Sequence, residues 1–232
     1  MKRLLAYFSK FELILWTSSV AVIITAFLIF DRVGWLSLAA SLVGVTSLIF
    51  CAKGNPAGQV LIIIFAILYG IISYGCAYYG EMFTYLGMSA PMAAFSLVTW
   101  IRNSISGRAE VRVGRISPLE MCFLLLLDAA VTCGFFFILR SLGTSSLLFS
   151  TILVSTSFAA AYLTMRRSPL YALAYAMNDI VLIVLWVIAV LRDPSYVSVI
   201  ICFLVFLVND LYAFVNWGRM KRRQAADGAN AA

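Results

Sequence analysis

Apolar positions along the chain come in long runs separated by short polar turns. Eight runs can be drawn: Glu12–Phe30, Gly34–Cys51, Gln59–Tyr78, Met82–Trp100, Leu119–Leu139, Ser145–Met165, Pro169–Leu191 and Tyr196–Trp217. Each holds 18 to 23 residues, and at about 1.5 Å per residue each crosses a hydrocarbon layer about 30 Å thick. Membrane β-strands would instead alternate over about ten residues, and no such alternation occurs. The pattern predicts an all-α polytopic membrane protein with eight transmembrane helices. The first run is too long for the apolar part of a signal peptide and no small-residue cleavage site follows it, so it is expected to remain as a helix. Gly70, Gly87, Gly134 and Pro91 fall inside runs, where neighbouring helices can satisfy the backbone groups they free.

Composition agrees with this pattern. The 232 residues are 63% hydrophobic and 12% charged, against roughly half and a quarter in a soluble domain. The runs leave no room for a soluble catalytic domain. Charge then orients the helices. With the N-terminus inside, Lys2, Arg3, Lys10, Lys53, Arg102, Arg108, Arg112, Arg115, Arg166, Arg167, Arg219, Lys221, Arg222 and Arg223 fall on one side, and Arg32, Arg140 and Arg192 on the other. The positive-inside rule turns this division of fourteen against three into two cytoplasmic termini in a bacterial inner membrane. The net charge of +7 thus reports topology and contact with the lipid bilayer. No folded basic domain is left to hold nucleic acid. The cysteines Cys51, Cys76, Cys122, Cys133 and Cys202 are scattered in apolar runs without metal or disulfide spacing. Histidine is absent, which removes the commonest metal ligand and general base. Neither a cofactor nor a metal is expected.

A repeat emerges when the chain is compared with itself. Ala52-Lys-Gly-Asn-Pro56 closes the second run and Met165-Arg-Arg-Ser-Pro169 the sixth. Two runs later the copies end in Trp100 with Arg102 and in Trp217 with Arg219. An odd number of helices per block plus a single joining helix gives a parallel repeat, with a substrate site expected between the halves near mid-depth. The division is then an N-terminal segment and extra helix (1–33), a first three-helix repeat (34–103), a basic loop and linker helix (104–144), a second repeat (145–218) and a cytoplasmic tail (219–232).

Ionisable groups inside a membrane span are costly and usually face a bundle interior or a cavity. Asp179, Asp128 and Asp210 lie roughly 15, 14 and 11 Å from the ends of their runs at helical rise. Two belong to pairs, Asn178-Asp179 and Asn209-Asp210. Tyr171, Tyr175, Asn178, Leu182 and Trp186 share one helical face. Asn209, Tyr212 and Asn216 share another, beside the face of Asp210 and Trp217. Amides, carboxylates and flat rings suit a ligand with a ring to stack and hydroxyls or amides to bond, such as a nucleoside or vitamin. The candidate substrate-binding set is Asn178, Asp179, Asn209, Asp210, Tyr175, Trp186, Tyr171, Tyr212 and Gln59. The alternative is that these polar groups only bond helix to helix. Tyr85, Met88, Met92 and Phe95 read as packing, Glu81 as a solvated turn residue, and Trp100 and Trp217 as interfacial anchors.

At Glu81-Met-Phe-Thr-Tyr-Leu-Gly-Met-Ser-Ala-Pro91 and Phe206-Leu-Val-Asn-Asp-Leu-Tyr-Ala-Phe-Val-Asn-Trp217 the sequence resembles the PnuC family of bacterial vitamin transporters. The resemblance covers runs two to eight. It implies a 3+1+3 core distantly like that of the SWEET sugar transporters, with run one as an additional N-terminal helix. It also implies facilitated uptake of nicotinamide riboside, thiamine or riboflavin, with a cytoplasmic salvage kinase as the partner that traps the vitamin. Nicotinamide riboside members carry Trp-x-x-Trp-x-x-x-Asn at the start of the penultimate helix. Here Tyr171 stands at the second Trp and Tyr175 at the Asn, with Asn178 one turn later. The aromatic–amide character is kept and the spacing is not. Assembly into a homo-oligomer is left open.

A competing reading is an intramembrane enzyme using paired aspartates that share a proton. The chain has no Gly-x-Gly-Asp turn, no histidine and no P-loop lysine, so neither that enzyme nor a self-contained ATP-driven pump finds its usual signature.

Overall fold

The computed structural model describes residues 7–75, 82–105, 108–144, 146–191 and 194–229. Lys2, Arg3, Cys76, Tyr78, Glu81, Ser145 and Arg192, which bear on the topology, turns and run boundaries above, lie outside them. Eight helices run through the described residues: α1 (Lys10–Phe30), α2 (Trp35–Ala52), α3 (Ala57–Gly75), α4 (Ala90–Arg102), α5 (Pro118–Ser141), α6 (Leu147–Met165), α7 (Leu170–Val190) and α8 (Val197–Ala229). Seven are long and apolar enough to cross a membrane. The remaining one, α4, reaches comparable length together with a π-helical segment, Thr84–Ser89, that leads into it. Pro91 lacks an N–H and its ring crowds the carbonyl four residues back, at Gly87. The wider π turn accommodates this, and the Ala90 N–H reaches back to the Tyr85 carbonyl. The protein is an all-helical, multi-pass membrane protein.

Side-chain and backbone bonds bring the start of α1, the α2–α3 and α6–α7 turns, and the end of α8 together at one end of the bundle, here the basic end. Its two turns are copies. Gly54 (φ 66°) and Arg167 (φ 56°) occupy the same left-handed position. Around them Gly54 N–H bonds Cys51 O and Arg167 N–H bonds Thr164 O, each at 2.9 Å. Asn55 N–H bonds Phe50 O and Ser168 N–H bonds Leu163 O, each at 3.0 Å.

The copies also hold each other reciprocally. The last carbonyls of a helix have no partner within it, and here the other half supplies one. Trp100 Nε1 donates to Thr164 O at 2.8 Å, and Trp217 Nε1 to Cys51 O at 2.9 Å. Thr99 Oγ1 donates to Met165 O at 3.0 Å, and Asn216 Nδ2 to Ala52 O at 2.9 Å. The two indoles are fully buried, with ring centroids 5.5 Å apart. Their placement corrects the expectation that they anchor the membrane interface. Each N–H instead adds a bond from the other half to a helix-end carbonyl that also accepts from its own turn.

The helices that precede each half begin alike, a likeness beyond the repeat read from sequence. Ser9 caps α1 by accepting from Glu12 N–H, and Ser117 caps α5 by accepting from Glu120 N–H. Glu12 then pairs with Lys53, and Glu120 with Arg166, at matching positions of the two turns.

The segment between α4 and α5 is built into this end rather than being a free charged loop. Val111 N–H bonds Gly54 O and Gly114 N–H bonds Arg167 O, both at 2.9 Å, so the segment spans the two copied turns. Val111 is fully buried. The stretch expected to be a tail continues α8 to Ala229 and fastens the segment: Gln224 exchanges bonds with Val113 N–H and Val111 O, and Arg108 pairs with Asp227 at 2.8 Å.

Candidate substrate cavity

Between the halves lies a cavity of about 100 Å³ whose walls come from α2, α3, the π segment, α6, α7 and α8. Six of the sequence-predicted residues line it: Gln59, Tyr171, Tyr175, Asn178, Asp179 and Asp210. The α7 contributors sit about one or two turns apart on one face, so a regular helix presents them together. Asn178 is oriented by two hydroxyls of α6. Its side-chain oxygen accepts from Thr156 Oγ1 at 2.7 Å and Ser157 Oγ at 2.9 Å, which leaves its amide N–H groups for the cavity. Gln59 is buried, with Nε2 3.4 Å from Cys51 Sγ. Asp179 and Asp210 are both buried and their carboxyls face each other within hydrogen-bonding reach. Asp179 Oδ2 has no partner among the described residues. The lining contains no lysine or arginine.

Three predicted residues stand elsewhere. Asn209 is buried, but its amide donates to Ser19 Oγ on α1 at 3.0 Å and to Val205 O at 2.8 Å. Tyr212 donates to Glu12 at 2.9 Å and packs against Phe11, 5.3 Å away. Successive helical residues point about 100° apart, so Asn209 and Asp210 cannot both face the cavity. The face of Phe203, Phe206, Asp210, Ala213 and Trp217 turns inward, and that of Asn209 and Tyr212 turns to α1. Trp186 sits further from the basic end. It packs 5.0 Å from Tyr196, lines a separate cavity of about 170 Å³, and meets Asn178 and Leu182 only in a smaller one of about 50 Å³. Phe65, Phe203 and Phe206 border both larger cavities and pack edge-on at 5.9 to 6.1 Å, so an aromatic layer separates the two. Asp128 on α5 accepts from Ser155 at 2.6 Å and does not line the cavity.

Several lining residues carry no functional signal in the sequence: Ser47, Ser89, Ser157, Thr164, Phe65 and the pair Phe203 and Phe206. Tyr85, which reads as packing from sequence, also lines the cavity. Membrane-helix hydroxyls commonly bond their own backbone, as Ser47 does to Gly44 O at 2.6 Å and Thr164 to Ala160 O at 2.8 Å. A Ser or Thr in an apolar run therefore carries no mark of facing a ligand. A spacing of seven between Ser157 and Thr164 is the one available signal, since both then lie on a common face.

Toward the basic end the cavity closes on Tyr171, whose ring meets Trp217 at 5.1 Å. The indole pair and residues 108–117 lie beyond. In this conformation the basic end is shut, and the cavity is smaller than the roughly 300–1,000 Å³ usual for ligand sites.

Known proteins share this architecture. The profile of the family described as "Nicotinamide mononucleotide transporter" matches residues 34–219. The nicotinamide riboside transporter PnuC of Haemophilus influenzae is 23% identical over 191 residues, covering 82% of this chain and 81% of that protein. A crystal structure described as that of the vitamin B3 transporter PnuC superposes with a TM-score of 0.81 at 21% identity, covering 93% of this chain and 94% of the other. That likeness is one of fold.

Proposed function

The chain belongs to the nicotinamide mononucleotide transporter family, and from that premise we propose that it carries nicotinamide riboside passively across a bacterial inner membrane, both termini in the cytoplasm. The observation that carries the substrate choice is the charge of the cavity. Two buried carboxyls stand in it with no lysine or arginine beside them. A phosphate dianion entering there would go uncompensated in a low-dielectric site, which disfavours the mononucleotide. The riboside has no phosphate and carries a positive pyridinium ring, which the Asp179–Asp210 pair suits. Tyr171 and Tyr175 offer ring faces, and Asn178 and Gln59 offer amides for the carboxamide and ribose hydroxyls.

Transport then follows from the paired halves. Solute enters the vestibule beside Trp186, passes the Phe65–Phe206 layer and reaches the site, and a rocking of the halves that parts the reciprocal contacts opens the basic end. Direction comes from a cytoplasmic kinase that phosphorylates the riboside, giving a product the cavity rejects. Titration of purified protein with riboside, mononucleotide, thiamine and riboflavin tests the substrate. The riboside should bind tightest, and tighter binding of the mononucleotide would overturn the charge argument. The facing carboxyls favour one rival, a proton-coupled carrier. Proteoliposomes under an imposed proton gradient should show counterflow exchange without net accumulation. Accumulation that vanishes in Asp179→Asn would establish the rival instead.

A further inference from the structure

At the basic end, away from the cavity, a groove of about 900 Å³ opens between Gly114–Ile116, the start of α7 at Ser168–Leu170, and one face of α8. Four cations line it, Arg115, Arg219, Lys221 and Arg222, and no carboxylate does. Elsewhere at this end four cations are paired with carboxylates, Lys53 with Glu12, Arg166 with Glu120, Arg108 with Asp227 and Arg223 with Glu110. Lys10, Arg102, Arg112 and Arg167, unpaired among the described residues, do not line the groove. The four cations of the groove have no ion pair or side-chain hydrogen bond among the described residues. Like charges gathered without counter-ions repel, so the arrangement is stable when an anion fills it. The groove is also two-toned. Leu170, Phe214 and Val215, all solvent-accessible and apolar, form its membrane side, and the first turn of α7, whose N–H groups favour anions, opens onto it.

We propose that this groove is a binding site for the phosphate headgroup of an anionic phospholipid of the cytoplasmic leaflet, with an acyl chain lying along Phe214 and Val215. A cationic rim over an apolar wall matches a molecule with phosphate at one end and hydrocarbon at the other, which a free phosphorylated metabolite does not possess. The lipid bridges α8 to the segment that spans the two copied turns, because Gly114 beside the groove bonds Arg167 O. Its occupancy therefore holds the closed end shut. The proposal rests on the cytoplasmic orientation given above and is independent of which solute is carried.

The test is native mass spectrometry of the detergent-purified full chain with phosphatidylglycerol, phosphatidylcholine or inorganic phosphate. Phosphatidylglycerol should be retained and phosphatidylcholine should not. Neutralising three cations in Arg115→Gln/Arg219→Gln/Arg222→Gln should weaken retention roughly a hundredfold, at about fivefold per cation. Arg102→Gln/Arg112→Gln, which alters two cations outside the groove, should leave it unchanged. If the triple variant does not express, Arg219→Gln alone should weaken retention about fivefold. Equal retention of the two lipids, undiminished retention in the groove variants, or binding of inorganic phosphate with no retained lipid would each overturn the proposal.

Discussion

The turn at Gly54 and the turn at Arg167 share one backbone conformation and one set of hydrogen bonds, yet eleven residues further on the two halves differ completely. Where the second half places Asn178 and Asp179 on the cavity wall, the first places Phe65 and Ala66. Tyr171 and Tyr175 likewise answer to Gly58 and Ile62. The skeleton is symmetric and the lining is not. The contacts between the halves are reciprocal, as expected if both halves move about a common axis. The proposed solute, with a charged ring at one end and a neutral sugar at the other, needs different groups on different sides, so the lining is free to diverge.

The most drastic way to break this comparison is to remove the indoles. Trp100→Ala and Trp217→Ala should each cost about 3–5 kcal/mol of unfolding free energy, measured by denaturant titration in detergent. The two losses should agree within about 1 kcal/mol, because the rings occupy matching sites. A Trp100→Ala protein as stable as its parent would show the symmetry to be geometric only. Next comes the lining. Asn178→Ala or Asp210→Ala should weaken riboside binding by about 1–3 kcal/mol, roughly 5- to 150-fold, in a calorimetric titration. Asn209→Ala and Tyr212→Ala should leave that affinity within about twofold, since both side chains face α1. Comparable losses in all four would mean that the cavity wall extends to the α1 side.

The paired caps sharpen the comparison with a smaller effect. Glu12 is 3% exposed and Glu120 is 19%, so Glu12→Gln strands a more enclosed Lys53 and should cost about 1–3 kcal/mol of stability. Glu120→Gln should cost less than about 1 kcal/mol. Equal losses would indicate that enclosure does not separate the two pairs. The smallest effects belong to the turns themselves. Gly54→Ala should destabilise and Arg167→Gly stabilise, each by roughly 1 kcal/mol, because an L side chain is strained at this left-handed position. Thermal melts of the two variants should shift in opposite directions.

Residues 169–191 show how far a sequence alone can be read here. A single regular helix turns Tyr171, Tyr175, Asn178 and Leu182 to one side, so helical periodicity is enough to make their common face legible. On α8 the same arithmetic separates Asn209 from Asp210, but it does not say which of two faces turns inward. That choice depends on where α1 packs, and Ser19 and Glu12 claim Asn209 and Tyr212 from another part of the chain. Sequence misplaces Trp100 and Trp217 for a related reason. A tryptophan at the end of an apolar run looks the same whether its N–H meets lipid headgroups or a buried carbonyl of the other half.

Hydrophobic length, charge asymmetry and the spacing of Pro56, Trp100, Pro169 and Trp217 determined by themselves that this is a helical membrane protein built on a repeat. They could do so because the hydrocarbon layer imposes its thickness on each segment separately. The tertiary structure alone decided which polar residues meet in the cavity, that the indoles lock the halves, and that residues 108–117 and the end of α8 close the basic end. Those outcomes depend on partners far apart in sequence, such as Trp100 with Thr164 and Val111 with Gly54. A hydrogen bond between distant helices leaves no periodic trace in either one.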